Sequence, residues 1–200
     1  MINQNTTEWH ELRKKHIGAS DAPVIMGVSP WNTPYNLWQE KLGLLPVKDN
    51  PYINQFHEKE KIARNKFIEI TGIQVSPLIV ISNEHKFMMA SLDGISTLRN
   101  YIVEIKCPGI KDYECALKGQ VPKKYYPQLQ HQMIVCNLEK CFYFSYRNED
   151  EYKLLEINLD NDYKLALLRE EYKFIDNLNS LTPPELMKRE SKLKWTINIL

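Results

Sequence analysis

No apolar run in this chain approaches the about 20 residues that a membrane-spanning helix needs, and the polar start Met1-Ile2-Asn3-Gln4-Asn5 lacks the hydrophobic stretch of a secretory signal. A membrane partner and an exported protein are therefore not expected. Cysteine is scarce: Cys107, Cys115, Cys136 and Cys141 form no Cys-x-x-Cys pair, and none has a His at zinc-ligand spacing. That pattern fits neither a zinc knuckle nor a disulfide framework, so reduced, partly buried thiols of a cytoplasmic protein are expected. An excess of charge of one sign is missing too. Lys and Arg number 26 against 25 Asp and Glu, a formal net charge of +1. A chain that grips a long duplex by its phosphates is usually clearly basic. Here positive charge is local, at Arg13-Lys14-Lys15-His16, at Lys118 with Lys123-Lys124, and from Lys188-Arg189 to Lys194. Near-neutrality points to a small nucleic-acid footprint or to an oligomer that pools its patches; otherwise each cluster is a solvated face. Internal repeats and low-complexity segments are absent.

What is present is ordinary globular composition, 43% hydrophobic and 26% charged over 200 residues, enough for one substantial core. A single domain over residues 1–200 is expected, with its motifs in 8–160 and a helical segment over 161–200. Thr6 or Thr7 caps a helix carrying Trp9, Leu12 and Arg13, and Ser20 serves as N-cap of a short helix ending before Gly27. Thr33-Pro34 opens a helix that runs to Lys41 and stops at Gly43, and residues 45–54 read as a linker loop. Phe56, Ala63, Phe67 and Ile70 recur at helical steps up to Gly72, with Glu60 in the same stripe. A carboxylate on a buried face needs a partner. Arg64, four residues on, is the plain one, and a functional cation is the alternative.

Strands follow at 73–81, 86–92 and 101–106, then helices at 111–117 and 122–136, strands at 142–146 and 154–159, and a long helix at 162–178 broken by Thr182-Pro183-Pro184. Helices, a three-strand meander, helices, two strands and a helix make an α/β protein with a mixed central β-sheet flanked by helices, the arrangement of a restriction-endonuclease-like core. Within it, Asp93-Gly94 reads as a turn at a strand end, and Val103-Glu104-Ile105-Lys106 as the next strand. Alternation puts Glu104 and Lys106 on one face and Val103 and Ile105 on the other. An acid, a gap of about ten residues, then acid-x-Lys is the pattern of a metal-dependent phosphodiester-cutting site. Neighbouring carboxylates suit Mg²⁺ or Mn²⁺, and Lys106 stands where it can orient a water and meet charge on a phosphate. The bare triplet also fits a solvated hairpin edge; Cys107-Pro108, which ends the strand at Lys106, favours the site.

An ordered set of motifs now carries a resemblance: Trp9-His10-x-Leu12-Arg13, Ile17-Gly18-Ala19-Ser20, Glu60-x-x-Ala63-Arg64, Met89-Ala90-Ser91-Leu92-Asp93-Gly94, Glu104-Ile105-Lys106-Cys107-Pro108 and Gln128-Leu129-Gln130-x-x-Met133. The set resembles the YqaJ-like viral recombinases, the group that includes phage lambda exonuclease. It spans residues 8–146 and leaves 150–200 almost without a match. The resemblance implies a PD-(D/E)xK nuclease acting on double-stranded DNA ends, in a bacterial or phage-infected cell. It implies that Asp93, Glu104 and the backbone carbonyl of Ile105 hold Mg²⁺, with Glu60 on a second metal or its waters and Gln128 supporting the cluster. Lys106 would position the attacking water. Arg13 and Ser20 would hold a 5′-terminal phosphate, so that one strand is removed 5′→3′ and the 3′ strand passes to a single-strand annealing recombination protein.

The family also implies a ring-shaped trimer, but the short segment before Trp9 and the compact C-terminal part present no identifiable trimer surface. Where the family usually carries Gly, four residues before Glu60, this chain has Phe56, which would narrow or reshape the channel. Three rivals stay open: an endonuclease of the same fold, a non-catalytic DNA-binding or assembly protein, and a metal-free hydrolase using Cys107 or Cys115. The roles of Trp31, Trp38 and Trp195 are open as well; an exposed one near the site would stack an unpaired base.

Overall fold

A computed structural model describes residues 6–45 and 53–185, the side chains of 53–56 excepted. The hydroxyl of Thr6 accepts the Trp9 N–H at 3.2 Å and starts α1 (Thr7–Lys15). A short strand β1 (Ile17–Gly18) follows, then α2 (Ala22–Ile25). Ser20 is not the cap of α2. The Asp21 N–H donates to the Gly18 carbonyl at 2.8 Å and the Asp21 carboxylate takes the Gly18 N–H at 2.9 Å, so Ser20 sits inside a closed turn and helix begins after Asp21. Helix α3 (Pro34–Lys41) is capped by Thr33 and ends at Gly43, whose φ of 73° is the left-handed conformation a Gly adopts readily.

Helix α4 (Ile53–Thr71) already includes Ile53 and Asn54, so the linker expected over 45–54 is shorter; residues 46–52 lie outside the described ones. Ala63 and Phe67 are fully buried, the latter contributing about 1.5–3 kcal/mol. Ile70 departs from the expected stripe at 37% exposure, in the last turn before Gly72 ends the helix. The Phe56 side chain, residues 186–200 and Trp195 are outside the described residues.

Among the described residues the sheet has six strands. The remaining five are β2 (Val75–Ile81), β3 (Met88–Ser96), β4 (Ile102–Lys106), β5 (Lys140–Tyr146) and β6 (Tyr152–Asn158), in the order β1-β3-β4-β5-β6 with β2 also on β3. The β1–β3 and β4–β5 pairs are parallel, and β2–β3, β3–β4 and β5–β6 are antiparallel, a mixed sheet as expected. Pro77 has no N–H for the ladder, and the β2 register slips between Ser76 and Leu78. Two helices, α5 (Ile110–Leu117) and α6 (Tyr126–Cys136), make the crossover that the parallel β4–β5 pair requires. Helix α6 starts later than residue 122: Pro122 accepts the Tyr125 N–H in a turn at 2.8 Å, and Pro127 is the proline in the first helical turn. Helix α7 (Asn161–Asn179) closes the layer. No helix of the described residues is long and apolar enough to cross a membrane.

Asp93-Gly94 is not a turn. Both residues lie within β3, and the chain reverses at residues 97–100, where the Ser96 hydroxyl accepts the N–H groups of Asn100 and Tyr101. Gly94 is needed for close approach instead: a Cβ there would stand 2.7 Å from Val103 Cγ1 and 2.9 Å from Val75 Cγ2. Apolar cores cover the sheet on both faces. Ala63 and Phe67 of α4 pack on Val103, Ile105 and Phe144; Leu129 and Met133 of α6 pack with Ile102, Tyr143 and Leu167 on the other side. A buried His131 pins α6: its Nδ1 lies 2.7 Å from Glu171 of α7 and its Nε2 3.0 Å from the Met89 carbonyl of β3.

Candidate active site

The β3–β4 pairing runs to Gly94–Val103, and just beyond it Asp93 Oδ2 takes the Ile105 N–H at 2.8 Å. A side-chain carboxylate therefore stands where the two strands part. Glu104, on β4, is 1% exposed, and both of its oxygens accept hydrogen bonds, with acceptor capacity left on Oε2. Its Oε1 accepts from Lys106 Nζ and, at 2.6 Å, from Gln128 Nε2; its Oε2 accepts from Gln132 Nε2. Lys106 also lies 5.1 Å from the centre of the Tyr125 ring. From α4, Arg64 donates Nε–H to the Asp93 carbonyl at 2.5 Å and pairs through Nη2 with Glu60. Glu60 thus has the plain partner expected of it, and that partner fastens it to Asp93.

Asp93, Glu104, Glu60, Lys106 and Gln128 accordingly come together from β3, β4, α4 and α6. Gln132 belongs with them and was not singled out from sequence, although its spacing of one helical turn from Gln128 puts both amides on one face. Gln130 does not join them; it ties α6 to the β6–α7 junction through the Asn158 carbonyl and the Asp160 N–H.

Charge is unevenly matched here. Three carboxylates face two cations, Lys106 and Arg64. Burial raises the Asp93 carboxyl well above the usual range, and the charges of Glu104 and Glu60 raise it further against the pull of Lys106. Burial raises Glu60 also, opposed by Arg64. For Lys106, burial alone would lower the ammonium, but Glu104 and Asp93 outweigh it and the net shift is upward. Among the described residues no three carboxylate, imidazole or thiol groups converge as a complete cage. Mg²⁺ does not need one, since it binds through one or two carboxylates and keeps waters. The oxygen-only donor set and its surplus negative charge fit such a hard cation. The thiols do not fit catalysis: burial pushes Cys107 up to about 11 and raises Cys115, so neither supplies thiolate near neutrality.

Arg13 and Ser20 are also brought together. One Arg13 nitrogen donates to the Ser20 hydroxyl at 3.1 Å and to Asp21 Oδ1 at 2.8 Å, and the guanidinium covers the Trp9 ring at 5.0 Å. Asp21 and its second cation, Lys41 at 2.6 Å, gave no signal in the sequence. Lys41 further donates to the Arg13 and His16 carbonyls at 2.6 and 2.7 Å. Burial raises Asp21, but Lys41 and Arg13 more than reverse it and hold the carboxyl near 2; on Lys41, burial outweighs the pull of Asp21 and lowers the ammonium. A pair so desolvated adds little net stability, yet breaking it strands a charge. Lys41→Met is expected to destabilise the fold by the lower end of about 3–5 kcal/mol, since Arg13 still serves Asp21, measured by denaturant unfolding.

The six-stranded mixed sheet, with the Asp93…Glu104-x-Lys106 constellation at its parting strands, defines the class, a restriction-endonuclease-like fold. The chain belongs to the YqaJ-like viral recombinase family, whose domain model matches residues 8–139. It is 27% identical over 176 residues, 84% of its length, to the uncharacterised protein YqaJ of Bacillus subtilis strain 168; the match covers 54% of that protein, so the chain spans about half the length of the curated relative. Among solved structures, the alkaline exonuclease LHK-Exo of Laribacter hongkongensis is similar with a TM-score of 0.75 at 25% identity, covering 88% of this chain and 94% of that one. A phage-related exonuclease of Haemophilus somnus 129PT shares the fold at a TM-score of 0.61 and 16% identity, over 86% of this chain and 98% of its own.

Proposed function

We propose that the chain is a Mg²⁺-dependent DNA exonuclease that removes one strand of a linear duplex from its 5′ end. The observation that carries this reading is the bond from Trp9 Nε1 to the Ser91 hydroxyl, 2.8 Å, which fastens the Arg13–Ser20 group to β3 two residues before Asp93. An anion-binding group and a hydrolytic group thereby share one strand.

Asp93, Glu104 and the Ile105 carbonyl are the groups to hold Mg²⁺, or Mn²⁺, with Glu60 reaching it directly or through water. The cation would supply Lewis acidity and charge neutralisation. Lys106, fixed by Glu104 and Tyr125, orients the attacking water and meets the negative charge that grows on the phosphate. Gln128 and Gln132 lock both oxygens of Glu104, so the carboxylate cannot swing away. Arg13 offers a forked guanidinium to a terminal phosphate and Ser20 its hydroxyl. Asp21 competes for Arg13, but Lys41 balances Asp21 and leaves the group with one net positive charge. The product is a duplex with a 3′ single strand, the substrate of an annealing recombination protein.

An endonuclease of the same fold is the second reading, favoured by the internal satisfaction of Arg13 by Asp21 and Ser20. Nucleotide release separates the two, on linear duplex with 5′-phosphate or 5′-hydroxyl ends and on closed circular duplex, with Mg²⁺ or EDTA. Mg²⁺-dependent loss of linear DNA, faster from the 5′-phosphate, is expected. Cutting of the circle would install the endonuclease, and no cleavage of any DNA would leave a binding role.

A further inference from the structure

Trp38 is a core residue, with its Nε1–H on the Asn177 carbonyl at 3.1 Å, whereas Trp31 is 64% exposed. Exposure of so large an apolar ring goes against hydrophobic burial, and the loop around it is not loose. Ser29 donates its N–H to the Pro23 carbonyl at 3.0 Å, and Trp31 its own to the Ser29 hydroxyl at 3.3 Å. Asn32 accepts the Thr33 N–H at 3.0 Å and donates to both oxygens of Glu40. The indole is held out by a bonded loop.

It is also the outer end of an alternating series that finishes in the catalytic group. Lys124 Nζ lies 4.9 Å from the centre of the Trp31 ring and 5.1 Å from that of Tyr125, and Lys106 Nζ lies 5.1 Å from the centre of the same Tyr125 ring. Three steps of this size put Trp31 within about four nucleotides of Lys106, at the per-strand rise of a duplex. Beside the series is an open hollow of about 360 Å³ lined by Val28, Pro30, Asp112, Pro122, Lys123 and Lys124. Its one carboxylate, Asp112, is neutralised by Lys124 at 2.7 Å.

We propose that Trp31 and Lys124 form a stacking platform for an unpaired base of the DNA strand at the catalytic groove. Every base offers a π-face, so the platform takes any sequence, while the Lys124–Asp112 pair is close to neutral and adds no net repulsion toward the adjoining phosphates. This rests on the DNA reading of the site. Inside a paired duplex each base has its faces covered by its stacked neighbours, so the platform takes single-stranded and not fully paired DNA.

The test is binding to a partial duplex whose single-stranded extension carries 2-aminopurine, beside the same DNA fully paired, with EDTA and with Mg²⁺. Trp31→Ala is expected to weaken the partial duplex about tenfold and abolish quenching of the 2-aminopurine, with the fully paired duplex unchanged. Trp31→Phe is expected to retain most of the affinity. Wild-type affinity and quenching in Trp31→Ala would overturn the platform while leaving the nuclease reading intact, and equal weakening of both DNAs would make Trp31 a general duplex contact and overturn it also. Failure of the wild-type chain to bind any DNA would remove the nuclease reading itself.

Discussion

Glu104→Gln is expected to lower nucleotide release from linear duplex by about a thousandfold with the fold intact, the several kcal/mol that charge stabilisation at such a centre contributes. The substitution removes one charge and almost no volume. Lys106 and Gln128 still find an acceptor oxygen in the new amide. Its NH₂ would face the Gln132 NH₂, but Gln132 has an answer: its own Oε1 is buried without a partner, and a flip of that amide offers it as acceptor. The packing therefore accommodates the change, and the loss falls on the chemistry. The measurement is nucleotide release at saturating Mg²⁺ beside a thermal melt. Wild-type release with an unchanged melt would sink the metal-site assignment. A collapse of the melt would instead make Glu104 a structural residue.

Much of this centre was legible because strand alternation and helical spacing are local rules. Glu104 and Lys106 lie on one face, away from Val103 and Ile105, because β4 alternates as any strand must. Arg64 lies one turn from Glu60 and meets it. What was misread was punctuation. Asp-Gly is a turn signal when the Gly needs a special backbone angle, but Gly94 answers to the side chains of Val103 and Val75 across two other strands, which no local pattern reports. Ser20 and Asp21 are both good caps, and only the Asp21 carboxylate folding back on Gly18 decides between them. Lys41 and Glu171 were illegible for the same reason. Each is a buried charge whose partner stands far away in the chain, Asp21 for one and His131 for the other.

Mg²⁺ is expected to raise the melting temperature by about 5–10 °C at a hundredfold excess over its Kd, and to do so increasingly as pH rises from the acid range to about pH 8. The sign follows from the carboxylates. With Asp93 raised above its unfolded value, the native chain holds more protons than the unfolded one between the two values, so this group's contribution to stability is full at low pH and is lost as pH rises through the raised value. Glu60 acts in the same direction. Asp21 acts oppositely: held near 2, it stabilises above the ordinary carboxylate range and loses that only as pH falls through about 2. A cation at the site competes with the proton on Asp93, so its stabilising effect should grow as the proton leaves. Asp93→Asn separates this from general screening. The amide oxygen still accepts the Ile105 N–H, the repulsion from Glu104 and Glu60 is gone, and the metal-free variant should melt at or above wild type at about pH 8 while its melt ignores Mg²⁺. An equal Mg²⁺ response in Asp93→Asn, or one that is flat with pH, would mean that the cation stabilises the fold elsewhere and that Asp93 is not its ligand.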